Sequence, residues 1–346
     1  MIGIQCPADA AVSATPAAYR PRHSLLWWNS ARECAADLHA IVYHFFLWSI
    51  SLLPLNLAFK CVSWISKFKQ SLRRQDASDL RREIAGALDI GAQEREELIK
   101  RTRALAFWDD VEALYYNRLN EASIHRLIWV RGLENLDRAL QVGRGAIVCC
   151  GHFRGLFGFL VALNLLGYKL NAIRRAPKNA QGPIARWLNR RRTLISTEEC
   201  KFLWMKPGNL GIVLQAERGL KRNEIVIMLI DARFATEAVE ARFLNKAVPL
   251  PSGHVVLAHA SGAPVLTCSV HSSEHGLPRI AEIGEPYFLK GDVVASVQNS
   301  INHMEKQIRK YPADWVWFAD RGLWDGSTRD RHTQAQPSRA PVNLTK

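Results

Sequence analysis

The sequence predicts an α/β fold: a mainly parallel central sheet flanked by helices, with an N-terminal membrane-anchoring helix ahead of it. Three observations predict it. Short apolar runs bounded by turn residues recur from residue 126 onward, and such runs read as buried strands. Segments with helical spacing separate them, and that alternation argues for parallel strands joined by crossovers. Before both lies an apolar stretch, residues 38–59, without one Asp, Glu, Lys or Arg.

The anchor comes first in the chain. Residues 38–59 are long enough to span a hydrocarbon core of ~30 Å, although Pro54 and two histidines interrupt them. Lys60, Lys67, Lys69, Arg73 and Arg74 follow, as expected of a segment meeting anionic headgroups on the cytosolic side. Trp27, Trp28, Trp48 and Trp64 suit an interfacial belt. Either a span or a tilted interfacial helix satisfies this pattern. The boundaries read as a disordered arm over 1–30, the anchor and its basic segment over 31–75, the α/β domain over 76–325 and a disordered tail over 326–346. The arm is not a signal peptide, because its apolar stretch begins too late.

Within the α/β domain, strands are expected at 126–131, 145–150, 168–174, 224–230, 264–270 and 279–283. Helices are expected at 133–140, 156–170, 180–192, 209–218, 252–260 and 293–310. Ser252 is a candidate cap of the helix it opens.

Composition narrows the partners. The chain has 346 residues, 48% hydrophobic, with net charge +14 and pI near 9.7. Such a balance points to an anionic partner. Nucleic acid is disfavoured, since no helix-turn-helix, zinc or stacking motif accompanies the charge. The seven cysteines form no C-x-x-C pair and read as reduced thiols, Cys149 and Cys150 as packing residues at the end of a core strand. His254 and His259 lack a matched acid, so no metal site is expected.

Position singles out His152. It follows the apolar run Ala146–Cys150 and Gly151, at the carboxyl edge of a strand, where open α/β sheets bind ligands. Asp231 follows a second apolar run in the same way, and the fold is expected to set the two strand ends side by side. Asp231 reads either as the histidine's acid or as a helix cap or ion-pair partner of Arg233.

Five stretches together resemble the late acyltransferases of lipid A biosynthesis, within the glycerolipid acyltransferase superfamily. They are the apolar-then-basic N-terminus, GRGAIVCCGHFRGLFG (143–158), IRRAPKNAQGPIARWLNRRR (173–192), IVIMLIDARF (225–234) through FLNKAVPLPSGHVVLAHASGAPVL (243–266), and IRKYPADWVWFADRGLW (308–324). The resemblance implies an enzyme at the cytoplasmic face of a bacterial inner membrane. It would move an acyl chain from acyl carrier protein or acyl-CoA to a hydroxyl or amine of a lipid or glycolipid acceptor, next to anionic membrane lipid. No cofactor beyond the acyl donor is implied.

His152 would be the general base. Arg174, Arg175, Lys178, Arg186 and Arg190 fall where the family holds acceptor phosphates, and arginine forks suit phosphate oxygens. Arg154, Arg233 and Ser252 complete the expected substrate-binding set. The family pattern H-x4-D/E puts an acid five positions after the histidine; here that position is Phe157. Asp231 is the candidate substitute. The alternative is a lipid-binding or scaffold protein on the same fold, impaired in catalysis by Phe157.

Overall fold

The computed structural model describes residues 23–72, 78–105, 112, 115–116, 119–175, 200–205, 211–231, 238–274 and 276–316. Two helices, α1 (His23–Ser51) and α2 (Leu55–Leu72), stand where a single anchoring helix was expected over 31–75. The cause is Pro54. Proline disfavours helical geometry in the residue before it and has no N–H for an earlier carbonyl, so α1 stops short of it. The N–H groups of Leu57 and Ala58 then bond to the Pro54 carbonyl at 2.9 Å each, opening α2. The Tyr115 hydroxyl pins the turn, lying 2.8 Å from the Leu53 carbonyl and 3.2 Å from that of Ile50. Leu47, Ile50, Ala58, Val62 and Tyr115 form a small core of their own. Among the described residues no helix is long and apolar enough to cross a membrane. α1 begins at His23, inside the stretch expected as a disordered arm.

Helices α3 (Ser78–Ala87) and α4 (Ala92–Ala104) lead into a seven-stranded sheet. Its strands are β1 (Ile128–Arg131), β2 (Ala146–Cys150), β3 (Leu170–Arg175), β4 (Cys200–Met205), β5 (Ile225–Leu229), β8 (Val265–Ser272) and β9 (Arg279–Ile283), in the order β1-β9-β8-β2-β5-β3-β4. From β8 to β4 every pairing is parallel; β9 runs antiparallel to β8, and β1 parallel to β9. All residues of β2 and β8 are buried, as expected of central strands covered on both faces.

The helices α5 (Leu133–Leu140), α6 (Leu156–Leu165), α7 (Gly211–Lys221), α8 (Gly253–Ser261) and α9 (Val293–Lys310) do the covering. α7, α8 and α9 touch one another in a row against the sheet, while α6 lies against β1, β3 and β8. The helix expected over 156–170 stops at Leu165, where Tyr168 N–H turns back to the Leu163 carbonyl at 3.0 Å. The helix expected over 180–192 lies outside the described residues.

Three strands escaped the sequence reading. β4 mixes Lys201 with apolar residues, so no clean apolar run marks it. β6 (Ala238–Phe243) and β7 (Lys246–Pro251) pair antiparallel as a separate hairpin. Pro249 and Pro251 argue against a strand, yet a two-stranded ribbon has outer edges where proline forfeits no ladder bond. The hairpin turns through Leu244 and Asn245, both at positive φ. Leu244 is held there because its side chain is buried and its N–H donates to Glu305 Oε2 at 2.8 Å.

His254 opens α8 from inside the core, whereas His259 on the same helix is exposed. Burial pushes the His254 imidazole down from 6.5 to about 4. The unfolded chain therefore takes up a proton near pH 6.5 that the folded chain refuses until about pH 4. Stability is unaffected by this group above that window and falls as pH drops through it. Between about pH 7 and about pH 5 the loss is ~2 kcal/mol. Urea unfolding midpoints across that interval are expected to drop less for His254→Leu than for wild type. Equal drops would show that His254 does not set this slope.

Candidate active site

Register brings His152 and Asp231 together. Cys150 of β2 pairs with Leu229 of β5, and each catalytic candidate lies two residues beyond its strand. The two side chains meet: His152 Nδ1 is 2.6 Å from Asp231 Oδ1. The main chain joins in, with the His152 N–H donating to Asp231 Oδ2 at 2.7 Å. The Trp315 indole N–H donates to the same oxygen at 2.8 Å. Two fixed donors on Oδ2 leave Oδ1 for the imidazole.

Exposure divides the pair. The His152 side chain is 26% exposed and that of Asp231 0%. Burial pushes the Asp231 carboxyl up, but the His152 charge, its ring and backbone hydrogen bonds and the Trp315 N–H outweigh burial, and the group titrates below the usual aspartate value. An ionised Asp231 requires the proton of a neutral imidazole on Nδ1. Nε2 then carries the lone pair, which is the form a general base needs.

Residues 151–155 make a tight loop. A Cβ at Gly151 would lie 2.9 Å from Met304 Sδ, 3.0 Å from the Phe153 ring and 3.3 Å from Asp231 Oδ2, so a side chain there would press on the acid. Gly155 holds φ +80°, and a Cβ would overlap the Arg279 side chain. The segment 311–316 straps this loop down. Phe153 bridges to Trp315, Arg154 N–H donates to the Asp314 carbonyl at 2.8 Å, and Val316 N–H donates to the His152 carbonyl at 2.8 Å. Asp314 is tied in turn to the Ser272 hydroxyl at 2.6 Å and to Arg279 at 3.4 Å, and Arg279 to Glu112 at 3.3 Å. All three charged groups are buried, so loss of one leaves a buried charge with one partner fewer.

The N–H groups of His152, Phe153 and Arg154 are committed to Asp231, the Gly151 carbonyl and the Asp314 carbonyl. They are closed to a ligand in this arrangement.

The basic residues divide. Arg174 stands near the end of β3 with its guanidinium carbon 4.2 Å from the centre of the Phe157 ring and 5.6 Å from that of Phe202. Phe157 is thus a stacking surface for an arginine, a contact that suits the planar guanidinium. Burial lowers the Arg174 pKa. Arg175 ends β3. Arg154 is buried. Lys178, Arg186, Arg190 and Arg233 lie outside the described residues. Ser252 stands at the cap position of α8, but its side chain makes no capping bond; its main-chain carbonyl accepts from Val255 and Val256 instead. Glu217 pairs with Lys221 on α7. Among the described residues no three of His, Cys, Asp and Glu gather to hold a metal ion.

A model of the bacterial lipid A biosynthesis acyltransferase family matches residues 34–323. The chain belongs to that family. No curated protein matches it. The matched span of this lipid A acyltransferase family member runs from α1, through both strand ends that carry the dyad, to the strap. It also includes Phe157 in place of the acid of the H-x4-D/E pattern. Trp315 of the strap is not among the site residues expected from the sequence. One signal bore on it: a tryptophan buried in a fold must find an acceptor for its N–H.

Proposed function

We propose that the chain transfers a fatty acyl group from the thioester of acyl carrier protein or coenzyme A to a hydroxyl or amine of a lipid or glycolipid acceptor. The observation that carries this reading is the 2.6 Å contact between His152 Nδ1 and the buried Asp231. It supplies an oriented base where the family pattern has lost its usual acid, and it favours catalysis over mere lipid binding. His152 Nε2 accepts the acceptor's proton as its oxygen attacks the thioester carbonyl carbon. The tetrahedral intermediate collapses, the carbon–sulfur bond breaks, and the thiolate takes the proton from the imidazolium. Asp231 holds the ring and stabilises the imidazolium between those steps. Arg174, held on the Phe157 ring, binds an anionic group of the acceptor or donor.

The acceptor is met at a membrane surface. Leu38, Ile41, Val42, Phe45 and Trp48 recur along one side of α1 and are exposed, as is Leu52 in the turn. Phe45 is 65% exposed and Trp48 53%, values a soluble face rarely carries in a cluster. Ala40, Leu47 and Ile50 face the other way and are buried, the last two in the small core. Such a helix suits attachment in the plane of the interface.

The test is acyl transfer on anionic phospholipid vesicles carrying a lipid A precursor, with labelled acyl carrier protein or acyl-CoA as donor. Wild type is expected to float with the vesicles and to label the acceptor. A variant with Val42, Phe45 and Trp48 all changed to Ser is expected to stay in solution and to label poorly. Absence of labelled product with both donors would contradict the acyltransferase reading. Flotation of the triple variant would contradict the interfacial one.

A further inference from the structure

Trp315 is placed to do more than fill the core. Its indole N–H reaches Asp231 Oδ2 at 2.8 Å, on the side of the carboxylate away from the imidazole. The ring is fully buried and meets Phe243 edge-on, with centroids 5.8 Å apart. Its backbone is fixed through the Phe153 bridge and through the bonds of Asp314 and Val316 to the dyad loop. The same short strap thus holds the histidine by its carbonyl and the aspartate by its side chain.

We infer that Trp315 is a positioning residue for the dyad, setting the rotation of the Asp231 carboxylate so that Oδ1 faces His152 Nδ1. The inference rests on the acyltransferase reading of the same site. Asp231 has three donors around it, the His152 ring, the His152 N–H and the Trp315 N–H. Remove the last and, among the described residues, Oδ2 keeps only the main-chain donor of a loop that is itself tied to the strap. The carboxylate then turns more freely. With one donor fewer it also holds a proton more readily, so the dyad takes up its first proton at higher pH.

Two changes separate the hydrogen bond from the packing. Trp315→Phe keeps a flat ring against Phe243 and removes the N–H. Replacement by 3-benzothienylalanine keeps the whole indole shape, with sulfur in place of the N–H. Each is expected to lower kcat by ~10–100-fold per folded molecule, the range for a lost hydrogen bond to a charged group, with KM little changed. The acid limb of the rate profile is expected to move upward in pH in both. A purely structural tryptophan would show a lower Tm for Trp315→Phe, with wild-type kcat and an unmoved acid limb in the benzothienyl variant. That result would overturn the inference while leaving the dyad standing. A wild type without His152-dependent transfer would remove the acyltransferase reading and this one together.

Discussion

Asp231→Asn is expected to lower kcat by ~10⁴-fold at unchanged fold, the size of effect seen when the acid of a serine-protease triad becomes an amide. The reason lies in the donors around the carboxylate. The His152 N–H and the Trp315 N–H both point at Oδ2, so the asparagine must place its carbonyl oxygen there. Its NH₂ then faces His152 Nδ1 and forces that nitrogen to accept. The ring proton moves to Nε2, and the base loses its lone pair on the substrate side. Asparagine matches aspartate in shape, so thermal unfolding should change far less than turnover. Wild-type turnover in a folded Asp231→Asn enzyme would remove Asp231 from the mechanism.

His152→Ala is expected to cost at least ~10²–10⁴-fold in kcat, the contribution of a positioned general base. The loss should fall on kcat more than on KM, because the base acts as the acceptor's proton leaves and not in ground-state binding. The variant also leaves Asp231 buried with only the His152 N–H and the Trp315 N–H as donors, so some loss of stability is expected alongside. Added imidazole should restore part of the rate if the cavity admits it. Equal turnover in wild type and His152→Ala would sink the general-base role.

Much of the sheet was legible because burial leaves a simple signal. β9, α5 and α9 have the bounds that periodicity predicts, and α9 opens on Asp292, whose carboxylate caps the Ala295 N–H at 2.8 Å. β2 and β5 were visible as uncharged runs, and their ends carry the dyad. What failed was local punctuation and long-range contact. Pro54 divided an apolar stretch that hydropathy alone treats as one helix. Prolines hid β7 in a hairpin that tolerates them.

The site shows the same division. A histidine followed by an acid at fixed helical spacing is a local pattern, and Phe157 breaks it. The acid that meets His152 is 79 residues further along the chain, and only the parallel pairing of β2 with β5 brings it there. The sequence could rank Asp231 first among candidates, because both residues follow strands. It could not show the Trp315 hydrogen bond, nor the buried Glu112, Arg279 and Asp314 beneath the loop, since no spacing rule links residues so far apart. Nor could it show that Phe157 would carry the Arg174 guanidinium.

The central claim is that His152 and Asp231 act as one unit, and a double-mutant cycle on kcat tests it most directly. Wild type, His152→Ala, Asp231→Asn and the double variant would be compared on vesicle-borne acceptor, each corrected for folded protein. Groups that act together are not additive, so the double variant is predicted to be no slower than His152→Ala alone. Multiplication of the two single losses in the double variant would mean that Asp231 serves the fold or the substrate independently of His152, and would contradict the account.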